Sequence, residues 1–150
     1  MYNKYMLATN HAITGALLGA VLPLPVALPV AFASHVVLDA LPHYGIPLHM
    51  RNRSSQYKLI VASDICIALI GSVGLALTHR WQMNLCAWVA WSPDLFWVIY
   101  VLRHKNLHIK ARNWFMKLHQ NMQWAEKPWG IFVELAYFAL LLPLYIAGLL

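Results

Sequence analysis

The chain has 150 residues, of which 61% are hydrophobic and only 11% charged, with a net charge of +6. A soluble domain usually carries about 25% charged residues, so this composition excludes an ordinary soluble fold and leaves no room for a large water-exposed domain. A membrane-spanning helix takes ~20 mostly apolar residues, so the length admits four or five spans in one transmembrane domain over residues 1–150.

The first predicted span covers about residues 5–22 and carries the small-residue row Gly15, Ala16, Gly19, Ala20. Rows of this kind let helices approach closely. The polar patch Thr9-Asn10-His11 lies near its start, where Thr9, Asn10 and Thr14 are expected to satisfy or cap the helix. No small-residue cleavage pattern follows, so the N-terminus is expected to be retained. Pro23-Leu24-Pro25 then makes a tight turn, because proline fixes φ and removes a donor. The second span covers about 26–44 and holds His35-x3-Asp39-x3-His43, with Pro42 expected to bend its end. A polar loop with Arg51 and Arg53 leads to the third span, about 57–78, which contains Asp64. A short connector at His79-Arg80 precedes the fourth span, about 83–102, with Ser92-Pro93-Asp94 inside it. Pro93 cannot bond to the carbonyl of Val89, which leaves an acceptor beside the acid. Residues 103–127 are basic, and Leu107, Ala111, Trp114, Leu118, Met122 and Ala125 recur at helical spacing. That pattern predicts an amphipathic helix on the membrane surface, acting as a linker or as a lid. The fifth span covers about 129–150. The fold class is therefore an all-α membrane bundle of about five transmembrane helices plus one interfacial helix.

Charge orients the bundle. With five spans, ten of the 11 basic residues fall on one side and only Arg80 on the other. The excess of Lys and Arg marks the cytoplasmic side. The N-terminus is then cytoplasmic and the C-terminus outside, in a membrane read as the bacterial inner membrane. Topology thus explains the positive charge, and no nucleic-acid partner is implied. Cys66 and Cys86 both fall in spans, where packing rather than a disulfide is expected.

On this topology His11, Asp39, His43, Asp64 and Asp94 share the inner half of the membrane, with His119 on the surface helix of the same side. His35 is expected to lie deeper. Positions four apart on a helix differ by ~40° and rise ~6 Å, so His35, Asp39 and His43 form one stripe. Buried carboxylates without Lys or Arg in the spans must be neutralised by protons or cations. Mixed His and Asp donors suit a divalent metal, Zn2+ first, with Mn2+ or Fe as alternatives, as one or two ions. Glu126 follows His119 by seven residues and is a candidate ligand or general base; the plain alternative is a solvated interfacial Glu. Glu134 is a weaker candidate for the same cluster. His49, His79, His104 and His108 are expected to be solvated.

The run Asn10-His11-x3-Gly15-x3-Gly19, then Ser34-His35-x3-Asp39-x2-Pro42-His43, then Ser92-Pro93-Asp94 resembles the small bacterial membrane-bound metal-dependent hydrolases. More remotely, the His-x3-Asp element is similar to that of zinc-dependent phospholipases C. The resemblance spans most of the first 100 residues and implies that His11, His35, Asp39, His43 and Asp94 are metal-site residues. Some members have a His-Ser or His-Thr pair in the first span; this chain has His11-Ala12, so no hydroxyl role is carried over.

The expected function is hydrolysis of an ester or phosphoester in an amphiphile at the cytoplasmic leaflet, with Asp39, Asp94 and Glu126 as the catalytic residues. The partners are the bilayer itself and a lipid or phosphate-bearing substrate, drawn in by Arg51, Arg53, Lys110 and Arg112. The competing class is metal-ion or proton transport through the same His/Asp cluster. A third is a non-catalytic protein whose metal clips helices together.

Overall fold

The structure, a computed structural model, describes residues 7–47, 50, 53–104, 114, 117, 121 and 125–149. Among these residues the fold is all-helical, apart from one two-residue strand pair. Helix α1 (Ala8–Val21) is followed by α2 (Leu24–Asp39), α3 (Ser55–Leu77), α4 (Trp81–His104) and α5 (Gly130–Leu149).

The ends of these helices follow from local chemistry. Pro23 caps α2 and a proline occupies its first turn, where no N–H is needed. Val26 and Ala27 N–H both donate to Pro23 O at 2.9 Å. At its other end α2 stops at Asp39, earlier than expected. Residues before a proline are pushed out of the α region, so Pro42 ends the helix rather than bending it, and His43 leaves the helical stripe. Ser54 caps α3 by accepting from Tyr57 N–H at 3.1 Å. The far end of α3 closes with two reversed bonds: His79 N–H to Ala76 O, 3.1 Å, and Arg80 N–H to Leu75 O, 2.8 Å. His79 adopts φ 56°, the left-handed conformation this closure requires.

Helix α1 is the hub, packing on α2, α3, α4 and α5. Its small-residue row does what the sequence promised. A Cβ at Gly15 would overlap Cys86 O and lie 2.6 Å from Ala90 Cβ; one at Gly19 would lie 2.9 Å from Gln82 O. Only glycine lets α1 and α4 meet this closely. Apolar clusters fill the remaining space. One gathers Ile13, Ala16, Leu75, Met83, Ala87 and Tyr145; another joins Ala27 and Ala31 to Cys86 and Ala90.

Among the described residues, α3 and α5 are long and apolar enough to cross a membrane. Only 17% of the most apolar stretch of each is buried. The expected count of five is not supported by length and composition. Helices α1 and α2, with 14 and 16 residues, fall short of the ~20 that a full crossing takes. Gln82, Asn84, Ser92 and Asp94 interrupt the apolar run of α4.

An unforeseen parallel pair joins two distant segments: His43 pairs with Glu126 and Tyr44 with Lys127, in strands β1 (His43–Tyr44) and β2 (Glu126–Lys127). Gly45 N–H extends it by donating to Lys127 O at 3.3 Å. The predicted interfacial helix, with His119, Lys110 and Arg112, lies for the most part outside the described residues, as does Arg51.

Candidate metal centre

Four side chains from three helices converge. His11 comes from the first turn of α1, His35 and Asp39 from the last turns of α2, and Asp94 from α4 just after Pro93. All four are buried, at 0%, 1%, 0% and 3% exposure. His35 belongs to the same cluster as the other three.

Each carboxylate faces both rings. Asp39 turns Oδ1 to His11 Nε2 at 3.4 Å and Oδ2 to His35 Nε2 at 3.2 Å. Asp94 turns Oδ2 to His11 Nε2 and Oδ1 to His35 Nε2, both at 3.9 Å. The two imidazoles stack, with centroids 4.1 Å apart and planes 25° off parallel. Their Nε2 atoms therefore address the same pair of acids.

The main chain fixes how His35 presents itself. Its Nδ1 lies 2.9 Å from Ala90 O. A carbonyl only accepts, so Nδ1 carries the hydrogen and a neutral ring shows a lone pair at Nε2. A lone pair facing a carboxylate is acceptor against acceptor. Only a positive species between them, a proton or a metal cation, makes the arrangement favourable. The donor set fits a metal. Ligands ~2.0–2.2 Å from one tetrahedral ion stand about 3.3–3.6 Å apart; the Asp39 separations of 3.4 and 3.2 Å lie close to that range, each through a different oxygen, and the Asp94 separations of 3.9 Å lie beyond it. Ligand atoms of His11, His35 and Asp94 all lie within 4.8 Å of one another. A histidine whose second nitrogen is held by a backbone carbonyl is also the usual orientation of a metal ligand.

The acceptor that Pro93 was expected to leave beside the acid is not at the site. The carbonyl it strands, Val89 O, accepts from Ser92 Oγ at 2.9 Å. It is the next carbonyl, Ala90 O, that holds His35.

The other predicted residues are placed as follows. His43 is fully buried on β1, with Nδ1–H donating to Leu41 O at 2.7 Å. Asp64 has a different engagement from the expected ligand. Its Oδ2 accepts from Ala8 N–H at 2.6 Å and its Oδ1 from Thr9 N–H at 3.0 Å, while Thr9 Oγ1 donates to Asp64 O at 3.0 Å. Both carboxylate oxygens thus cap the start of α1, where Leu7 supplies no side-chain cap. Glu126 is half-buried opposite His43, and its side chain packs against Gly45. His119 lies outside the described residues.

Glu134 proves more central than its sequence position suggested. It is fully buried; its Oε1 accepts from Tyr44 N–H at 2.9 Å and its Oε2 from Leu7 N–H at 3.2 Å. Its carbonyl accepts from Asn10 Nδ2 at 3.2 Å.

No protein-family model matches the chain, and no curated protein or solved structure matches it either.

Proposed function

We propose that this chain is a membrane-embedded, metal-dependent hydrolase acting on an ester or phosphoester of a lipid-like substrate at the cytoplasmic leaflet. The observation that carries the reading is the buried His11, His35, Asp39 and Asp94 cluster, in which two carboxylates face the same two imidazoles at 3.2–3.9 Å. It accords with the resemblance to the small bacterial membrane-bound metal-dependent hydrolases and, remotely, to zinc-dependent phospholipases C.

The membrane placement rests on the outward faces of α3 and α5. Leu59, Ile70, Leu77, Phe132 and Leu140 are all mostly exposed there, an apolar surface that water penalises and lipid accepts. Helices α1, α2 and α4 pack beside them, with α1 and α2 too short for a full crossing on their own. The basic loops face the cytoplasm, and so does the cluster.

In this reading His11, His35, Asp39 and Asp94 hold one divalent ion, Zn2+ first, with Mn2+ or Fe as alternatives. When bound, the ion supplies Lewis acidity toward water and the scissile bond. Asp39 and Asp94 together balance its charge, which a low-dielectric site demands. Ala90 O holds the ring of His35 in one tautomer. Glu126, half-buried on β2, is the proposed proton acceptor, as the sequence suggests. Acyl chains stay in lipid while the headgroup enters from the basic side.

A second reading draws on the near-complete burial of the four side chains: a metal that clips helices together without chemistry. One experiment separates the two. Detergent-purified protein is analysed for metal and assayed on phospholipid and polyprenyl-phosphate analogues, beside His35→Ala. Bound metal with hydrolysis lost in His35→Ala is expected. Metal without hydrolysis favours the clip, metal flux into proteoliposomes without hydrolysis favours transport, and absence of metal ends the proposal.

A further inference from the structure

Helix α5 supplies none of the four clustered side chains, yet it grips both segments that carry most of them. Leu7 immediately precedes α1, whose fourth residue is His11. Tyr44 follows His43 on the strand that leaves α2 just after Asp39. A single carboxylate, Glu134, accepts from the main-chain N–H groups of both, at 3.2 Å and 2.9 Å. The same residue's carbonyl accepts from Asn10, the neighbour of His11, at 3.2 Å. Gly130, one turn earlier on α5, lies so close to the main chain of His43 that a Cβ there would overlap it.

From these contacts we infer that Glu134 is a positioning residue for the metal centre: it sets the spacing between the His11-bearing and Asp39-bearing segments. The inference rests on the metal reading of the cluster. The chemistry favours an acid at this position. The two donors belong to separate segments, and each carboxylate oxygen takes one. Glutamine has one carbonyl oxygen and one NH2 group, so its amide would set a donor against a donor at one of the two N–H groups. A buried donor left without an acceptor in this environment is costly, and the two segments would shift to relieve it.

An inert helix-packing bond gives the contrast. At the opposite end of α5, Tyr145 O–H donates to Gly71 O at 2.8 Å, tying α5 to α3 far along the helix from Glu134. If α5 merely held the bundle together, losing this bond would affect the metal centre as much as losing Glu134 does.

The test compares Glu134→Gln, Tyr145→Phe and wild type in detergent, using Zn2+ titration and the imidazole 15N signals of His11 in metal-free protein. Altering a residue that supports metal ligands typically weakens binding by about 10- to 100-fold, and Glu134→Gln is expected to do so and to move the His11 signals. Tyr145→Phe is expected to change neither. Leu7→Pro is a second probe should Glu134→Gln fold poorly. It deletes one of the two donors where φ is already −60°, near proline's own value, and should shift His11 in the same direction. Unchanged Zn2+ affinity and His11 signals in Glu134→Gln would overturn the inference, as would an equal loss in Tyr145→Phe. If wild type binds no Zn2+, the metal reading fails, and the His11 signals still decide whether Glu134 positions that ring.

Discussion

Replacing Gly15 with alanine tests whether the close crossing of α1 and α4 builds the metal centre. The added Cβ would overlap Cys86 O and lie 2.6 Å from Ala90 Cβ and 2.9 Å from Cys86 C. Carbon atoms rest about 3.5–4.0 Å apart, so the helices must part by roughly 1 Å, or the backbone must deform. Overpacking of this kind typically costs about 1–3 kcal/mol. The separation falls where it matters. His11 is one turn before Gly15 and Asp94 one turn after Ala90, and their 3.9 Å approach lengthens as the helices part. Zn2+ affinity should then fall about tenfold or more, as for other changes behind metal ligands. Gly74→Ala is the matched control, because a Cβ there meets nothing within 4 Å. In a helix interior, alanine in place of glycine gains about 1 kcal/mol when space allows, so Gly74→Ala should hold or raise stability. Thermal unfolding followed by circular dichroism, with Zn2+ titration of both variants, decides the matter. If Gly15→Ala behaves like Gly74→Ala in both measurements, the crossing does not set the site. Ala90→Gly should rescue Gly15→Ala only in part, since the remaining obstruction is the main chain of Cys86.

Three further outcomes are expected. Asp64→Ala should cost about 0.5–2 kcal/mol of stability, the usual value of a lost helix cap, with metal stoichiometry unchanged; a lost metal ion would instead make Asp64 a ligand. His79→Gly should raise the unfolding midpoint, because the left-handed conformation costs a non-glycine residue roughly 1–2 kcal/mol; a lower midpoint would count against the strain at φ 56°. Chelation should destabilise metal-loaded protein, by about 2.7 kcal/mol relative to free metal at one hundred times its Kd; identical midpoints with and without chelator would speak against a resident ion.

Much of this architecture was legible in the sequence because helices announce themselves by apolar length. The expected ends of α1, α3, α4 and α5 fall within a few residues of the observed ones. The end of α2 was read too far along because Pro42 was treated as a bend, although the residue before proline resists helix. Loop charge alone led to the expectation that His11, Asp39, His43, Asp64, Asp94 and His119 lie in one slab; of these the structure brings His11, Asp39 and Asp94 together, with His35. Asp64 misled because backbone N–H groups leave no mark in a side-chain pattern. The available clue was negative: α1 begins at Leu7-Ala8 without a capping side chain, so something distant had to cap it. The β1–β2 pair could not have been foreseen, since two residues per strand give no periodicity.

The capping of α1 carries a consequence for assembly. At one end its N–H groups rely on Asp64, 55 and 56 residues away, with Leu7 relying on Glu134, 127 residues away. At the other end Gln82 Nε2 donates to Gly19 O and Leu22 O, 63 and 60 residues back. Both ends of α1 are therefore satisfied by segments that follow it in the chain. Until those segments dock, the terminal N–H and C=O groups of α1 lack these partners, and a polar group buried without one is costly. The helix earliest in this chain is thus completed last, and pulsed hydrogen exchange at Ala8 and Thr9 during refolding should show their amides protected only once α3 has docked.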